Sequence, residues 1–125
     1  KVTKGKIGHQ MKKITTTCPV ERSLDIIGGK WKLCILSKLQ VGPIRFGALK
    51  REMPDITQKM LTQQLRDLET AGLIHRKVYA EVPPKVEYSL TDFGHTLRPM
   101  VDFVSGWGIK NSEQINQALG ALGRV

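Results

Sequence analysis

Residues 45–72 read RFGALKREMPDITQKMLTQQLRDLETAG, and residues 73–90 follow as LIHRKVYAEVPPKVEYSL. The first stretch carries two helical patterns with Pro54 between them. In the shorter one Phe46, Leu49 and Met53 share a face, and Pro54 closes it. In the longer one Thr57 suits the N-cap, Leu61, Leu65 and Leu68 recur at i, i+4 and i+7, and Gly72 supplies the stop. Helix, tight turn at Pro54-Asp55-Ile56, helix is the spacing of a helix-turn-helix. In the second stretch Val86, Tyr88 and Leu90 alternate with Glu87 and Ser89, the period of a half-buried strand. With LIHRKVY as its partner strand, the run makes a hairpin over about 73–90. The expected fold is therefore mainly α with a small β-hairpin wing, a winged helix-turn-helix.

The flanks extend this core. Upstream, CPVERSLDIIGG (18–29) reads as a short helix with Pro19 in its first turn, Val20, Leu24 and Ile27 on one face, and Gly28-Gly29 as its end. KWKLCILSKLQVG (30–42) reads as a second helix, apolar over most of its circumference and hence largely buried, stopped by Gly42 and Pro43. Downstream, residues 91–108 read as a helix starting at Thr91. Its broad stripe is Leu97, Met100, Val101, Val104 and Trp107, and Pro99 either kinks it or marks a local start. NSEQINQALGALG (111–123) reads as a last amphipathic helix, with Ile115, Ala118, Leu119 and Leu122 on one side. Residues 1–17 are rich in Lys, Gly and Thr and read as a flexible basic arm, with Met11 a candidate internal start. Residues 18–125 are then one winged-helix domain, a size that supports a core without staples.

Charge narrows the partner. The chain of 125 residues carries a net +9, which favours a polyanion. Five of those charges are Lys1, Lys4, Lys6, Lys12 and Lys13, and the segment 92–125 sums to zero. The basic part is the first three quarters, whereas the neutral, apolar C-terminal part is suited to meeting protein. No apolar run approaches the roughly 20 residues of a membrane span. No apolar stretch follows the Lys-rich start as a signal peptide requires, so a cytoplasmic protein is expected. Cys18 and Cys34 are too few for a disulfide scaffold and are expected to be reduced at rest.

The outward face of the longer helix is Gln58, Lys59, Thr62, Gln63 and Arg66. A single α-helix fills the DNA major groove, where Gln pairs bidentately with adenine and Arg with guanine. Thr57 and Lys59 are better placed for phosphate. The hairpin tip Val82-Pro83-Pro84 reads as a stiff, polyproline-like corner, with Arg76, Lys77 and Lys85 beside it as cations for the backbone. Glu81 and Glu87 are a cost there, unless they pair with the neighbouring Lys and Arg. The same features also fit a bland reading, a solvated helix face and a rigid loop.

The runs CPVERSLDIIGGKWKLCIL and GPIRFGALKREMPDITQKMLTQQLRDLETAGLIHRKVYAEVPPKVEYSLTDFG, with a later Trp-Gly, resemble the HxlR-type bacterial transcription regulators, small relatives of the MarR group. The likeness spans Cys18 to about Gly108, and GGKW, RFGAL, KMLTQQLRDLE, GLI and EVPPKVEYSLT carry it jointly. The resemblance implies a homodimer whose terminal helices, the C-terminal ones over about 91–122, form the interface. It implies operator binding near promoters, most often as a repressor, with DNA contacts from the Thr57–Arg66 face and from the wing around Arg76 and Lys85. Several members sense oxidants, quinones or aldehydes through a cysteine just before the first helix, and Cys18 matches that position. A thiol at a helix N-terminus faces the positive end of the dipole, which favours thiolate, although Glu21 opposes this. Cys34 departs from the aliphatic residue usual there and falls between Lys30 and Lys38, away from the Leu/Ile stripe.

Other chemistry is not legible. Gly28-Gly29-Lys30 lacks the rest of a phosphate-loop motif. His9, His75 and His95 pair with no Cys at ligand spacing, so neither metal nor cofactor is expected. The expected protein is not an enzyme but a dimeric, sequence-specific regulator on a pseudo-palindromic duplex operator, switched at Cys18 or by a small ligand. The alternative is a winged-helix protein-interaction or architectural DNA-binding module without a sensing role.

Overall fold

The computed structural model describes residues 17–124; the basic arm expected over 1–17 lies, Thr17 apart, outside the described residues. Helix α1 (Pro19–Ile27) starts on Pro19 with Cys18 as N-cap. It ends where Gly28 N–H donates to the Leu24 carbonyl at 2.7 Å. A Cβ on Gly28 would collide with that carbonyl oxygen, and Gly29 takes φ +91°, so this turn needs its glycine pair. The stripe expected on α1 is only partly buried: Ile27 is in the core, while Val20 and Leu24 are exposed. Helix α2 (Lys32–Leu39) buries Ile35, Leu36 and Leu39 and leaves Cys34 exposed.

Next come β1 (Ile44–Arg45), α3 (Phe46–Glu52) and α4 (Gln58–Thr70). Thr57 caps α4, its Oγ1 accepting from Met60 N–H at 3.0 Å. Leu61, Leu65 and Leu68 of α4 are fully buried against Ile35, Leu36, Leu39, Leu49, Met53 and Ile56. Burial of each such leucine is worth roughly 1.5–3 kcal/mol, which fixes which face α4 turns outward. Strands β2 (Ile74–Tyr79) and β3 (Lys85–Leu90) form the hairpin.

The sheet departs from the sequence reading. It has three antiparallel strands in the order β1-β3-β2, so the hairpin is joined along its β3 side by a strand of two residues. Ile44 pairs with Tyr88 and Arg45 with Glu87 on one side of β3; Ile74 to Tyr79 pair with Leu90 to Lys85 on the other. Tyr88 and Leu90 are buried as the alternation predicts. At the tip the Val82–Pro83 peptide is cis, which differs from the polyproline-like corner expected there.

The helix expected from Thr91 is two helices. α5 (Asp92–His95) is one turn, capped by Thr91, whose Oγ1 accepts from Gly94 N–H at 3.0 Å and donates to the Gly72 carbonyl at 2.7 Å. A Cβ on Gly94 would strike the Leu73 carbonyl oxygen, so glycine lets α5 lie against the start of β2. The chain restarts as α6 (Arg98–Lys110) with Pro99 in its first turn, then continues as α7 (Ser112–Ala121). Leu97 and Met100 pack on the core and Val101 is buried, but Val104 and Trp107 are exposed and α7 buries no residue. Among the described residues, no helix is long and apolar enough to cross a membrane.

Candidate nucleic-acid interface

The burial of three leucines along one side of α4 leaves Gln58, Lys59, Gln63 and Arg66 exposed on the other, with Thr57 exposed at the cap. Thr62 is half-buried and its hydroxyl donates to the Gln58 carbonyl at 2.8 Å. The six α4 residues read from sequence are thus together on one surface. A helix presented this way has the diameter and side-chain chemistry to enter a major groove.

The wing divides the other three. Strand residues alternate faces, and Ile74 is buried, so Arg76 turns toward α4 as Ile74 does. Its Nε lies 3.3 Å from Glu69 Oε1, at the C-terminal end of α4. Lys77 and Tyr79 turn the opposite way. The Lys77 ammonium sits 4.7 Å from the Tyr79 ring centroid and that of Lys85, across the hairpin, 4.1 Å from it. The Tyr79 hydroxyl donates to Glu87 Oε1 at 3.0 Å, and Glu87 is the cross-strand neighbour of both Lys77 and Arg45. Glu87 is therefore held by the Tyr79 hydroxyl, with Lys77 and Arg45 as its neighbours on the adjoining strands. Arg76 joins the α4 surface, whereas the ammonium groups of Lys77 and Lys85 rest on the outer face of the hairpin.

Between α4 and the wing runs a groove. One part, about 520 Å³, lies between the tip (Glu81, Pro83, Pro84, Lys85) and Arg45–Gly47, with Thr62 on its wall. The adjoining part, about 340 Å³, is lined by Thr62, Arg66, Glu69, Arg76, Val86 and Tyr88. Thr62, Val86 and Tyr88 line both, so the groove is continuous. Burial pushes the Tyr88 phenol above its ordinary pKa; Arg76 draws it back and Glu69 adds to the rise. Arg45 is a cation of this groove that sequence reasoning missed. Its signal was hidden because two strand residues are too few to show a period, and only the pairing with β3 places Arg45 beside the tip.

Cys18 and Cys34 are both exposed. Cys18 stands at the N-cap of α1, and Cys34 lies in a shallow, mostly apolar cleft of about 250 Å³ between α2 and α6. Among the described residues, no group of three or more His, Cys, Asp or Glu could hold a metal ion.

Comparison with known proteins accords with this geometry. Residues 26–116 match the HxlR-like helix-turn-helix family. The chain is 55% identical over 100 residues to the HTH-type transcriptional regulator YdeP of Bacillus subtilis, covering 80% of this chain and 78% of YdeP. The structure of the redox regulator HypR in its reduced form superposes with a TM-score of 0.76 at 51% identity, covering 80% of this chain and 99% of HypR. The reduced form of the transcriptional regulator YodB from B. subtilis superposes with a TM-score of 0.64 at 34% identity, covering 74% of this chain and 92% of YodB. Helix-turn-helix, wing, outward polar face and these likenesses agree: the chain belongs to the HxlR-like helix-turn-helix family and is a DNA-binding transcriptional regulator, not an enzyme.

Proposed function

We propose that the chain acts in the cytoplasm as a homodimer on a pseudo-palindromic operator, reading bases with α4 and holding the backbone in the groove between α4 and the wing. The observation that carries this reading is the exposed Thr57–Arg66 surface of α4, continuous with a groove bordered by Arg45, Arg66 and Arg76. Gln58, Gln63 and Arg66 take the base edges, Thr57 and Lys59 the phosphates, and Arg76, Lys77 and Lys85 the backbone beside the wing. The dimer is supported by apolar surface that stays exposed among the described residues of one chain. Val20, Leu24 and Ile26 on α1 are exposed, as are Phe103, Trp107 and Ile109 on α6 and Leu122 after α7. Exposed apolar surface of that kind favours association. Two-fold symmetry then sets the two α4 helices about 34 Å apart, one turn of DNA.

The control we assign to the thiol of Cys18, or failing that to a small inducer. Cys18 is exposed and heads α1, whose outer face belongs to the apolar surface just described. Oxidation or alkylation there adds bulk and polarity to a segment of the proposed interface. The likeness to HypR, described as a redox regulator, supports the same assignment. The test is fluorescence anisotropy on DNA from immediately upstream of the protein's own gene, with reduced and then diamide-treated protein. Tight reduced binding that changes on oxidation, and no longer changes in Cys18→Ser, is the expected result. Binding indifferent to oxidant retires the thiol and leaves the small ligand. Equal affinity for random DNA refutes sequence-specific reading.

A further inference from the structure

A carboxylate is out of place on a helix offered to DNA, and α4 carries two: Glu69, at its C-terminal end against Arg76, and Asp67, a turn beyond Gln63 and next to Arg66. The surroundings of Asp67 explain it. Asp67 Oδ1 accepts from Gln63 Nε2 at 3.0 Å. Asp67 Oδ2 lies 3.4 Å from the Nζ of Lys32, the first residue of α2. The same Nζ donates to Gln64 Oε1 at 2.9 Å, and the Lys32 side chain is only 17% exposed. Lys32 is thus fixed by two acceptors on α4, and it offsets the charge that Asp67 would otherwise bring close to phosphate.

Gln63 is a base-reading residue on the reading proposed above, and the present inference rests on that reading. An unconstrained glutamine amide is a poor reader, because turning it over exchanges donor for acceptor at almost no cost. An ionised carboxylate accepts only. The Gln63 NH₂ must therefore face Asp67 and its Oε1 must face away. One N–H is used by Asp67. The remaining N–H and Oε1 are left side by side, the donor–acceptor pair that matches the N7 and N6 edge of adenine. Inverting the amide forfeits a hydrogen bond to a charged acceptor, which holds the population to one orientation by about tenfold or more.

We propose that Asp67, anchored by Lys32, is a positioning residue that sets the polarity of the Gln63 amide and so the base it selects. The residue touches no base. It acts through Gln63, and it ties the start of α2 to the reading surface of α4.

The experiment measures discrimination base pair by base pair across the operator half-site by competition anisotropy. Gln63→Ala identifies the base pair that Gln63 reads. Asp67→Asn keeps the shape but both donates and accepts, so neither amide orientation is selected. We expect Asp67→Asn to lose about tenfold of discrimination at that base pair and none elsewhere. Affinity for random DNA should hold or rise, because a negative charge has gone. Asp67→Glu, still an acceptor only, should recover part of the loss. Lys32→Met, which removes the anchor of Asp67, should weaken binding to all sequences and lose part of the discrimination at the Gln63 base pair. Undiminished discrimination at the Gln63 base pair in Asp67→Asn overturns the positioning role alone. Absence of any discrimination in the wild type overturns the reading beneath it as well. A Gln63→Ala variant that discriminates fully at every base pair also overturns the inference. Thermal unfolding of each variant separates these results from loss of fold.

Discussion

Thr57→Asp separates the folding role of the α4 N-terminus from its proposed role on DNA, because the two respond with opposite sign. Thr57 has extended backbone, φ −77° and ψ 158°, and its Oγ1 accepts the Met60 N–H at 3.0 Å. Such a cap is worth about 1 kcal/mol, and Asp caps as well as Thr or slightly better. Its charge also gains about 0.3–1 kcal/mol from the positive end of the helix dipole. The first turn of α4 contains no other acid to oppose it. The unfolding midpoint of the variant should therefore equal or slightly exceed that of the wild type. On DNA the same carboxylate meets phosphate. Two like charges about 4 Å apart repel by roughly 1 kcal/mol in bulk water and about 4 kcal/mol at an effective dielectric of 20. Binding should weaken by at least about fivefold, and by up to several hundredfold, at each half-site. Urea unfolding and anisotropy on the same preparation supply both readouts. A Thr57→Asp protein that is fully stable and binds the operator as tightly as the wild type would remove the N-terminus of α4 from the DNA. A loss of affinity that tracks a loss of stability would refute the capping argument instead.

Leu65→Ala on the buried side of α4 should cost about 2–5 kcal/mol in urea unfolding, since Leu65 is 1% exposed amid leucines and isoleucines. A cost near zero would mean that α4 does not pack as described. Tyr88 gives a pH signature. Burial raises its folded-state pKa above the ordinary value near 10, so the folded protein favours the neutral phenol. The stability this contributes is complete below about pH 10, where the unfolded tyrosine is also neutral, and is lost as pH rises through the folded value. Tyr88→Phe should flatten that fall, and an unchanged profile would show that Tyr88 does not cause it. Phe103→Lys on the exposed face of α6 should shift sedimentation from dimer to monomer at micromolar concentration; an unshifted dimer would exclude Phe103 from the interface.

How much of this was legible follows from what a residue pattern encodes. The α4 register was readable because Leu61, Leu65 and Leu68 have one answer to their period, and because a capping Thr and a terminating Gly bracket them. That alone fixed which side chains α4 exposes. The wing was readable as a hairpin from the alternation of β3. Its third strand β1 was not, because Ile44–Arg45 gains strand geometry only from its pairing with Tyr88 and Glu87. For the same reason Arg45 escaped notice as a cation of the groove. Which of Arg76, Lys77 and Lys85 faces α4 was not legible. Alternation distinguishes odd from even positions, but only the buried Ile74 and the Arg76–Glu69 contact show which set meets α4. Pro99 left two outcomes open, and the chain took the local restart, since a proline in the first turn of α6 lacks an N–H that would have no helical partner there.

The terminal helices show where the logic of a single chain runs out. Val20, Leu24 and Ile27 share a face at helical spacing, as do Ile115, Ala118, Leu119 and Leu122, and each set reads as the apolar face of an amphipathic helix. Folding buries Ile27 from the first set and, from the second, leaves Ile115 and Leu119 half-buried and the others exposed. Hydrophobic spacing states that a face favours leaving water; it does not say whether the cover comes from the same chain or another. The core under α4 is filled by α2, α3, the sheet, Ile27 of α1 and Met100 of α6, and the remaining apolar residues of α1, α6 and α7 stay outside it. Under the proposed dimer this division has a functional consequence. The elements that read DNA are stabilised within one chain, while the spacing between two readers depends on surfaces that only a second chain completes. A chemical change at Cys18 would then act on operator binding through geometry between protomers, leaving the α4 surface itself intact. Oxidised protein should accordingly keep its affinity for an isolated half-site while losing it for the full operator. Equal losses on both DNAs would place the effect within the α4 surface and contradict this account.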